Sequence, residues 1–185
     1  RHMESVTLST GWVCTPIAIP TPSRQPLSAV LDTGANQAWW DDEKVQKHYD
    51  TLSLLHKRQV DDLLKDKKRL ITTGYRRKRN GRTRLEVRFD GIAGCLRTPR
   101  GGSARQIVVY LDRGKLKIRW MSAVEYARLQ GVGDFTLLPN EREMLFGFGD
   151  AVCVPVIRWI DDCVLTPIAA DIRNSNKSRS AKRNK

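Results

Sequence analysis

Histidine and cysteine are scarce in this chain, three and four of 185 residues, and neither type falls into a reactive or metal-binding pattern. Cys14, Cys95, Cys153 and Cys163 are too widely spaced for the paired C-x-x-C of a zinc site and too few for a disulfide scaffold, which predicts a reduced, cytoplasmic chain. His2, His48 and His56 form no H-E-x-x-H or related ligand set, so no metal is expected. No apolar run approaches the ~18 residues of a membrane span, and the N-terminus lacks the basic-then-apolar layout of a signal peptide; neither a membrane partner nor export is expected. Arg1 and His2 precede Met3, which reads as the natural start, with little expected upstream of it. Acidic residues are also in short supply, 20 against 33 lysines and arginines. The resulting charge of +13 implies long-range attraction to a polyanion, nucleic acid first, with a merely soluble basic protein as the competing reading.

Length predicts one domain with appendages. From Gly11 to Pro26 four prolines exclude helix and favour an extended loop or linker. Asp41 and Asp42 then offer an N-cap, and Val45, Tyr49, Leu52, Leu55, Leu63 and Leu64 recur at helical spacing, predicting a helix over 43–65. The following stretch, KDKKRLITTGYRRKRNGRTR, holds ten lysines and arginines around Tyr75 and Asn80-Gly81, with Asp66 as its sole acid. That density favours phosphate contact over an ordinary solvated surface, because each cation near a phosphate releases counterions. Arg76, Arg77, Lys78 and Arg79 are the candidates within it.

Leu85 to Gly91 alternates like a strand closed by Asp-Gly, and IVVYL and LKIRW flank Asp112 to Lys115 like a hairpin, so the middle of the chain is a small sheet. Between these strands, Cys95 to Gln106 reads CLRTPRGGSARQ. Its glycines permit close backbone approach to a ligand, and its arginines suit guanine or phosphate; a plain flexible loop is the alternative. Ser122 and Glu125 form an S-x-x-E capping box, and the helix from Ala123 to Gln130 is expected to end at Gly131. Asp150 to Ile168 suits a helix capped by Asp150, with Val152, Val156, Trp159, Ile160 and Cys163 near one face, against a buried strand as the competing assignment. Residues 171–185 are basic and polar without an apolar anchor, predicting a disordered tail.

RWMSAVEYARLQGVGDF, Arg119 to Phe135, resembles the ninth motif of DNA cytosine-5 methyltransferases, matching it at Arg119, Ser122, Glu125, Arg128, Leu129, Gln130, Gly131 and Asp134. Val124, Val132 and Gly133 depart from the usual arginine, aromatic and proline. FGFGDAVCVPV resembles the tenth motif, with Asp150 in place of asparagine, and GIAGCLRTPRGGSARQ looks like the part of the target-recognition region that carries a Thr-Leu dipeptide and a glycine-rich recognition loop, here Cys95-Leu96 and Gly101-Gly102. The resemblance covers residues 85–165 well and the first half loosely. It implies that Arg119, Ser122, Glu125 and Arg128 brace the recognition domain; that Arg97, Thr98, Arg100, Ser103 and Arg105 read bases, with Arg76 to Arg79 on phosphate or in a recognition loop; and that Asp150, Ala151 and Val152 lie beside S-adenosyl-L-methionine.

The Pro-Cys nucleophile loop, the Glu-Asn-Val segment and the Phe-x-Gly-x-Gly cofactor turn that the family's chemistry needs do not occur. The expectation is therefore an α+β chain, a small twisted β-rich recognition domain (4–140) with bracing helices, a closing helix region (141–170) that docks on a partner's α/β catalytic domain, and the basic tail (171–185). Its expected role is the recognition subunit of a split DNA (cytosine-5-)-methyltransferase that shares S-adenosyl-L-methionine and duplex DNA with a catalytic partner and is inactive alone, no catalytic residue being assigned. A noncatalytic DNA-binding module is the alternative. A stand-alone enzyme is disfavoured because no nucleophile-base or metal constellation is present.

Overall fold

The computed structural model describes residues 17, 19–21, 25–99, 104–136 and 139–183. They fall into two compact units, one within 23–155 and one containing 156–183. The first unit is α+β, built on a four-stranded antiparallel sheet in the order β2-β1-β3-β4. Its strands are β1 (Leu70–Arg79), β2 (Arg82–Val87), β3 (Gln106–Asp112) and β4 (Lys115–Trp120). Both hairpins close through two residues of positive φ, Asn80 and Gly81 (49° and 75°) and Arg113 and Gly114 (49° and 82°). Such turns match the right-handed twist of paired strands. The β3–β4 hairpin is the one expected around Asp112 to Lys115, whereas β1 runs through the basic stretch for which no strand was predicted.

β3 is buried along nearly its whole length because helices cover both sheet faces. On one face Val108 packs with Leu27, Leu31, Met121, Tyr126, Leu145 and Phe148. On the other, Ile107, Val109, Leu111 and Ile118 meet Val45, Leu52, Val60 and Leu85.

The helix predicted over 43–65 is two: α1 (Asp42–Asp50) and α2 (Leu54–Lys65). Asp41 caps the first by accepting from Lys44 N, and Ser53 caps the second by accepting from His56 N. The break at 51–53 is used structurally, since the Thr51 hydroxyl accepts from Leu85 N and so ties the turn to β2. It lets Val45 and Val60 settle into one core.

α3 (Ala123–Leu129) carries the expected capping box, and Gly131 follows with φ 77°. A further helix, α4 (Glu141–Asp150), went unread in the sequence. Asn140 caps it, accepting from Arg142 N and Glu143 N, and Met144, Leu145 and Phe148 join the sheet core. Asp150 is therefore the last residue of α4 and not the cap of a helix running to Ile168. Ala151 is extended (φ −74°, ψ 163°), and helix resumes in α5 (Val154–Ile160). Pro155 is tolerated there because first-turn amides need no helical partner.

Beyond α5 lie a π-helical turn (Asp161–Leu165) and α6 (Thr166–Arg183). Residues 171–183 are helical where disorder was expected. After Pro167 the segment contains neither glycine nor proline, and its alanines, arginines and lysines favour helix.

Candidate nucleic-acid interface

β1 pairs with β3 as far as Tyr75↔Gln106, but its pairing with β2 continues to Arg79↔Arg82. Residues 77–79 and 82–84 thus form a two-stranded arm beyond the body of the sheet, with the pair Arg76↔Leu85 at its base. Strand alternation places Arg77 and Arg79 on one face with Arg82 and Arg84, each arginine of β1 directly opposite one of β2. Like charges placed opposite each other across a ladder repel.

Glu86 is the acid on this face. It accepts from Tyr75 Oη at 2.7 Å and Arg79 Nε at 3.1 Å and lies 4.0 Å from Arg77. Partial burial alone would raise its carboxyl pKa, but the bonds from Tyr75 and Arg79, with the charges of Arg79 and Arg77, hold it below the ordinary value. One carboxylate against four guanidiniums leaves the face strongly cationic.

Arg76 and Lys78 point to the opposite face of the arm, where the Arg76 guanidinium stacks 4.8 Å from the Trp120 ring centroid. Alternation thus sends the four candidates Arg76 to Arg79 to two faces of a strand, although Arg76, Arg77 and Lys78 all line one cleft. A cleft beside α1 is lined by Lys44, Lys47, His48, Arg76 and Arg84 together with Asp41 and Glu43. His48 has a lowered pKa, chiefly through burial, which outweighs the bond of its Nδ1 to Lys44 O. A second cleft is lined by Tyr75, Arg77, Lys78, Arg88, Arg97 and Gln106.

Arg97 is exposed and Thr98 half-buried, while Arg100 and Ser103 lie outside the described residues. The 97–98 backbone passes so close to α4 that a Cβ at Gly149 would sit 2.2 Å from Thr98 N and 2.4 Å from Arg97 C. The expected base-reading segment is thereby fixed to the helix that ends at Asp150. Arg105 is held elsewhere: it donates to Met121 O at 2.9 and 3.1 Å and to Glu141 at 3.0 Å. Its geometry ties the start of β3 to α4.

No family model, curated protein or solved structure matches the chain.

The brace residues converge. Arg119 donates to both oxygens of Glu125, at 2.5 and 2.8 Å, and to Asp32 O at 2.6 Å. Glu125 also accepts from Ser122 N and Asp32 N, both at 2.8 Å, and Arg128 reaches Val30 O and the Asp32 carboxylate. Burial alone would raise the Glu125 pKa; the bonds from Arg119, Ser122 and Asp32 more than offset it, and the carboxyl sits below its ordinary value. With every oxygen occupied by a structural donor, Glu125 has no geometry for proton transfer.

Asp150, Ala151 and Val152 are exposed in sequence, and Val154 N bonds Gln130 O, anchoring the segment to the end of α3. Among the described residues Cys95 is exposed and Cys153 and Cys163 are half-buried; all three are free thiols. Among the described residues, no group of three or more His, Cys, Asp or Glu could hold a metal, and no helix is long and apolar enough to cross a membrane.

Sequence reasoning named Arg82 and Arg84 within the basic stretch without singling them out, and it missed Lys44 and Lys47. The available signal for the arginines was Asn80-Gly81, a hairpin turn that pairs Arg77 with Arg84 and Arg79 with Arg82.

Proposed function

We propose that this chain is the DNA-recognition subunit of a two-polypeptide DNA (cytosine-5-)-methyltransferase, working in the cytoplasm with a catalytic subunit that carries the Pro-Cys loop and most of the S-adenosyl-L-methionine site. The observation that carries the DNA half of this reading is the arginine face of the arm, whose self-repulsion a polyanion relieves. The methyltransferase half rests on the resemblance of Arg119–Phe135 and Phe146–Val156 to the ninth and tenth motifs. The brace around Glu125 supports it, because those polar residues hold backbone and one another, as a scaffolding role demands.

Asp150, Ala151 and Val152 fit the cofactor as one open wall: an exposed carboxylate beside an exposed isopropyl group, 61% accessible at Val152. Bound there, S-adenosyl-L-methionine supplies an electrophilic methyl group. This chain's part is to hold duplex DNA while the partner's site receives an extrahelical cytosine, since the reacting carbons are inaccessible within stacked duplex. Val156, Ile157 and Leu165 are exposed apolar side chains suited to docking on that partner.

The deciding experiment is methyl transfer from labelled S-adenosyl-L-methionine to duplex DNA, by the pure chain and by the chain with polypeptides that copurify from its native host. Activity confined to the mixture is expected. Activity of the pure chain overturns the split reading, and DNA binding without activity in either case leaves a noncatalytic module.

A further inference from the structure

We infer that the β1–β2 arm enters the major groove of duplex DNA and that Arg79 and Arg82, the pair next to its tip, contact guanine there. The inference rests on the DNA-binding half of the proposed function and deepens it, moving sequence reading from the 97–105 segment to the arm.

Three observations converge. The first is shape. Three residue pairs, from Arg77↔Arg84 to Arg79↔Arg82, extend past Arg76↔Leu85, whose Leu85 is still in the core. At about 3.3 Å per residue they project roughly 10 Å, comparable to the ~8.5 Å depth of a B-form major groove, whose ~12 Å width admits a two-stranded ribbon. The tip is Asn80-Gly81, a narrow turn with little side-chain bulk to block entry.

The second is charge placement. Arg77↔Arg84 and Arg79↔Arg82 face each other across the ladder, an arrangement unfavourable in the free protein. Glu86 engages Arg79 through Nε, so the fork of terminal nitrogens is the end left to meet a base. That fork matches the O6 and N7 acceptors of guanine.

The third is what flanks the arm. A groove is bounded by two phosphate strands, and two clefts border the base of the arm. One has Lys44, Lys47 and Arg84 beside Asp41 and Glu43; the other has Arg97 and Arg88, the latter paired with Asp90. Duplex RNA is the poorer fit, because its major groove is too deep and narrow for side chains to read.

The test begins with a random duplex DNA pool from which the full chain selects its preferred sequence. Guanine N7 premethylation, which modifies the major-groove edge, is then scored for interference with binding. Four proteins are compared: wild type, Arg79→Ala/Arg82→Ala, Arg79→Lys/Arg82→Lys and Lys44→Ala/Lys47→Ala, with thermal melting as the folding control. N7 methylation at one or two guanines should block wild-type binding. The alanine pair should lose about 10- to 100-fold on the selected duplex, far less on scrambled DNA, and lose its sensitivity to N7 methylation. The lysine pair, which keeps the charge but not the planar fork, should retain scrambled-DNA affinity and lose part of its preference for the selected duplex. Lys44→Ala/Lys47→Ala should weaken both duplexes alike and reduce the salt slope by about 1 to 2.

Uniform weakening in the alanine pair, or an unchanged N7 pattern, overturns the arm as the reading element while leaving DNA recognition intact. Tighter binding to an RNA duplex than to any selected DNA overturns groove entry. A wild-type chain that binds no duplex DNA overturns both this inference and the reading it rests on.

Discussion

Arg119 and Glu125 form a two-bonded ion pair sealed from solvent, their side chains 2% and 0% exposed. Removing one partner of such a pair strands the other charge, which costs more than the pair itself contributes. Glu125→Gln is expected to destabilise the domain by about 3 kcal/mol at neutral pH. The folded-state pKa of Glu125 lies below its ordinary 4.5, so the carboxylate's contribution is fully present above that pH and fades as pH falls through the lower, folded value. Urea unfolding of both proteins at successively lower pH should show the gap narrowing in acid. Equal stability at pH 7 would refute the account.

Gly149 and Gly147 sit two residues apart in α4 but predict opposite outcomes. A methyl group at Gly149 collides with the 97–98 backbone, whereas at Gly147 it meets nothing within 4 Å. Gly149→Ala should destabilise by about 2 kcal/mol or displace the 97–98 segment. Gly147→Ala should stabilise by roughly 0.5–1 kcal/mol through helix propensity. Thermal melts of the two variants provide the comparison.

Tyr49 Oη donates to Asp61 at 2.6 Å and joins α1 to α2. That bond, then burial and the charges of Asp61 and Asp50, push the phenol up to about 12. Because the folded value is raised, the contribution is complete below the ordinary pKa of 10.0 and disappears as pH climbs towards 12. Phenolate absorbance, taken as the difference between wild type and Tyr49→Phe, should report the high value. Asp61→Asn should return it towards 10.

Glu86→Gln separates stability from binding on the arm. Losing the carboxylate leaves Arg77 and Arg79 without their countercharge, so the hairpin should weaken, and added salt should recover part of the loss by screening. Affinity for nonspecific duplex DNA should rise several-fold at low salt, with a salt slope steeper by about 1. Unchanged affinity would mean that this face does not meet the polyanion.

The features legible in the sequence are those set by neighbours along the chain. The capping box at Ser122 and Glu125 and the β3–β4 hairpin need only a few adjacent residues. β1 was hidden because four consecutive cations, Arg76 to Arg79, mask the alternation that Ile71, Thr73 and Tyr75 begin. α4 was hidden by Gly147 and Gly149, residues that weaken a helix; the second is required by contact with Thr98, fifty-one positions earlier. The cap proposed at Asp150 failed because the preceding helix was missed. At the candidate interface, charge singled out Arg76 to Arg79, but only strand register set Arg82 and Arg84 opposite them, and the partners of Arg105 lie 16 and 36 residues away.

The clasp between the 30–32 segment and α3 also fixes an order of events during synthesis. Val30 and Asp32 find their partners at Arg119, Glu125 and Arg128, 87 to 98 residues further on. Until the ribosome has released Arg128, the 30–32 segment lacks these polar partners, while both hairpins can already form from local pairing. The polar clasp is the late closure of the domain. A nascent chain arrested before Arg119 would expose Leu27 and Leu31, its share of a core not yet built.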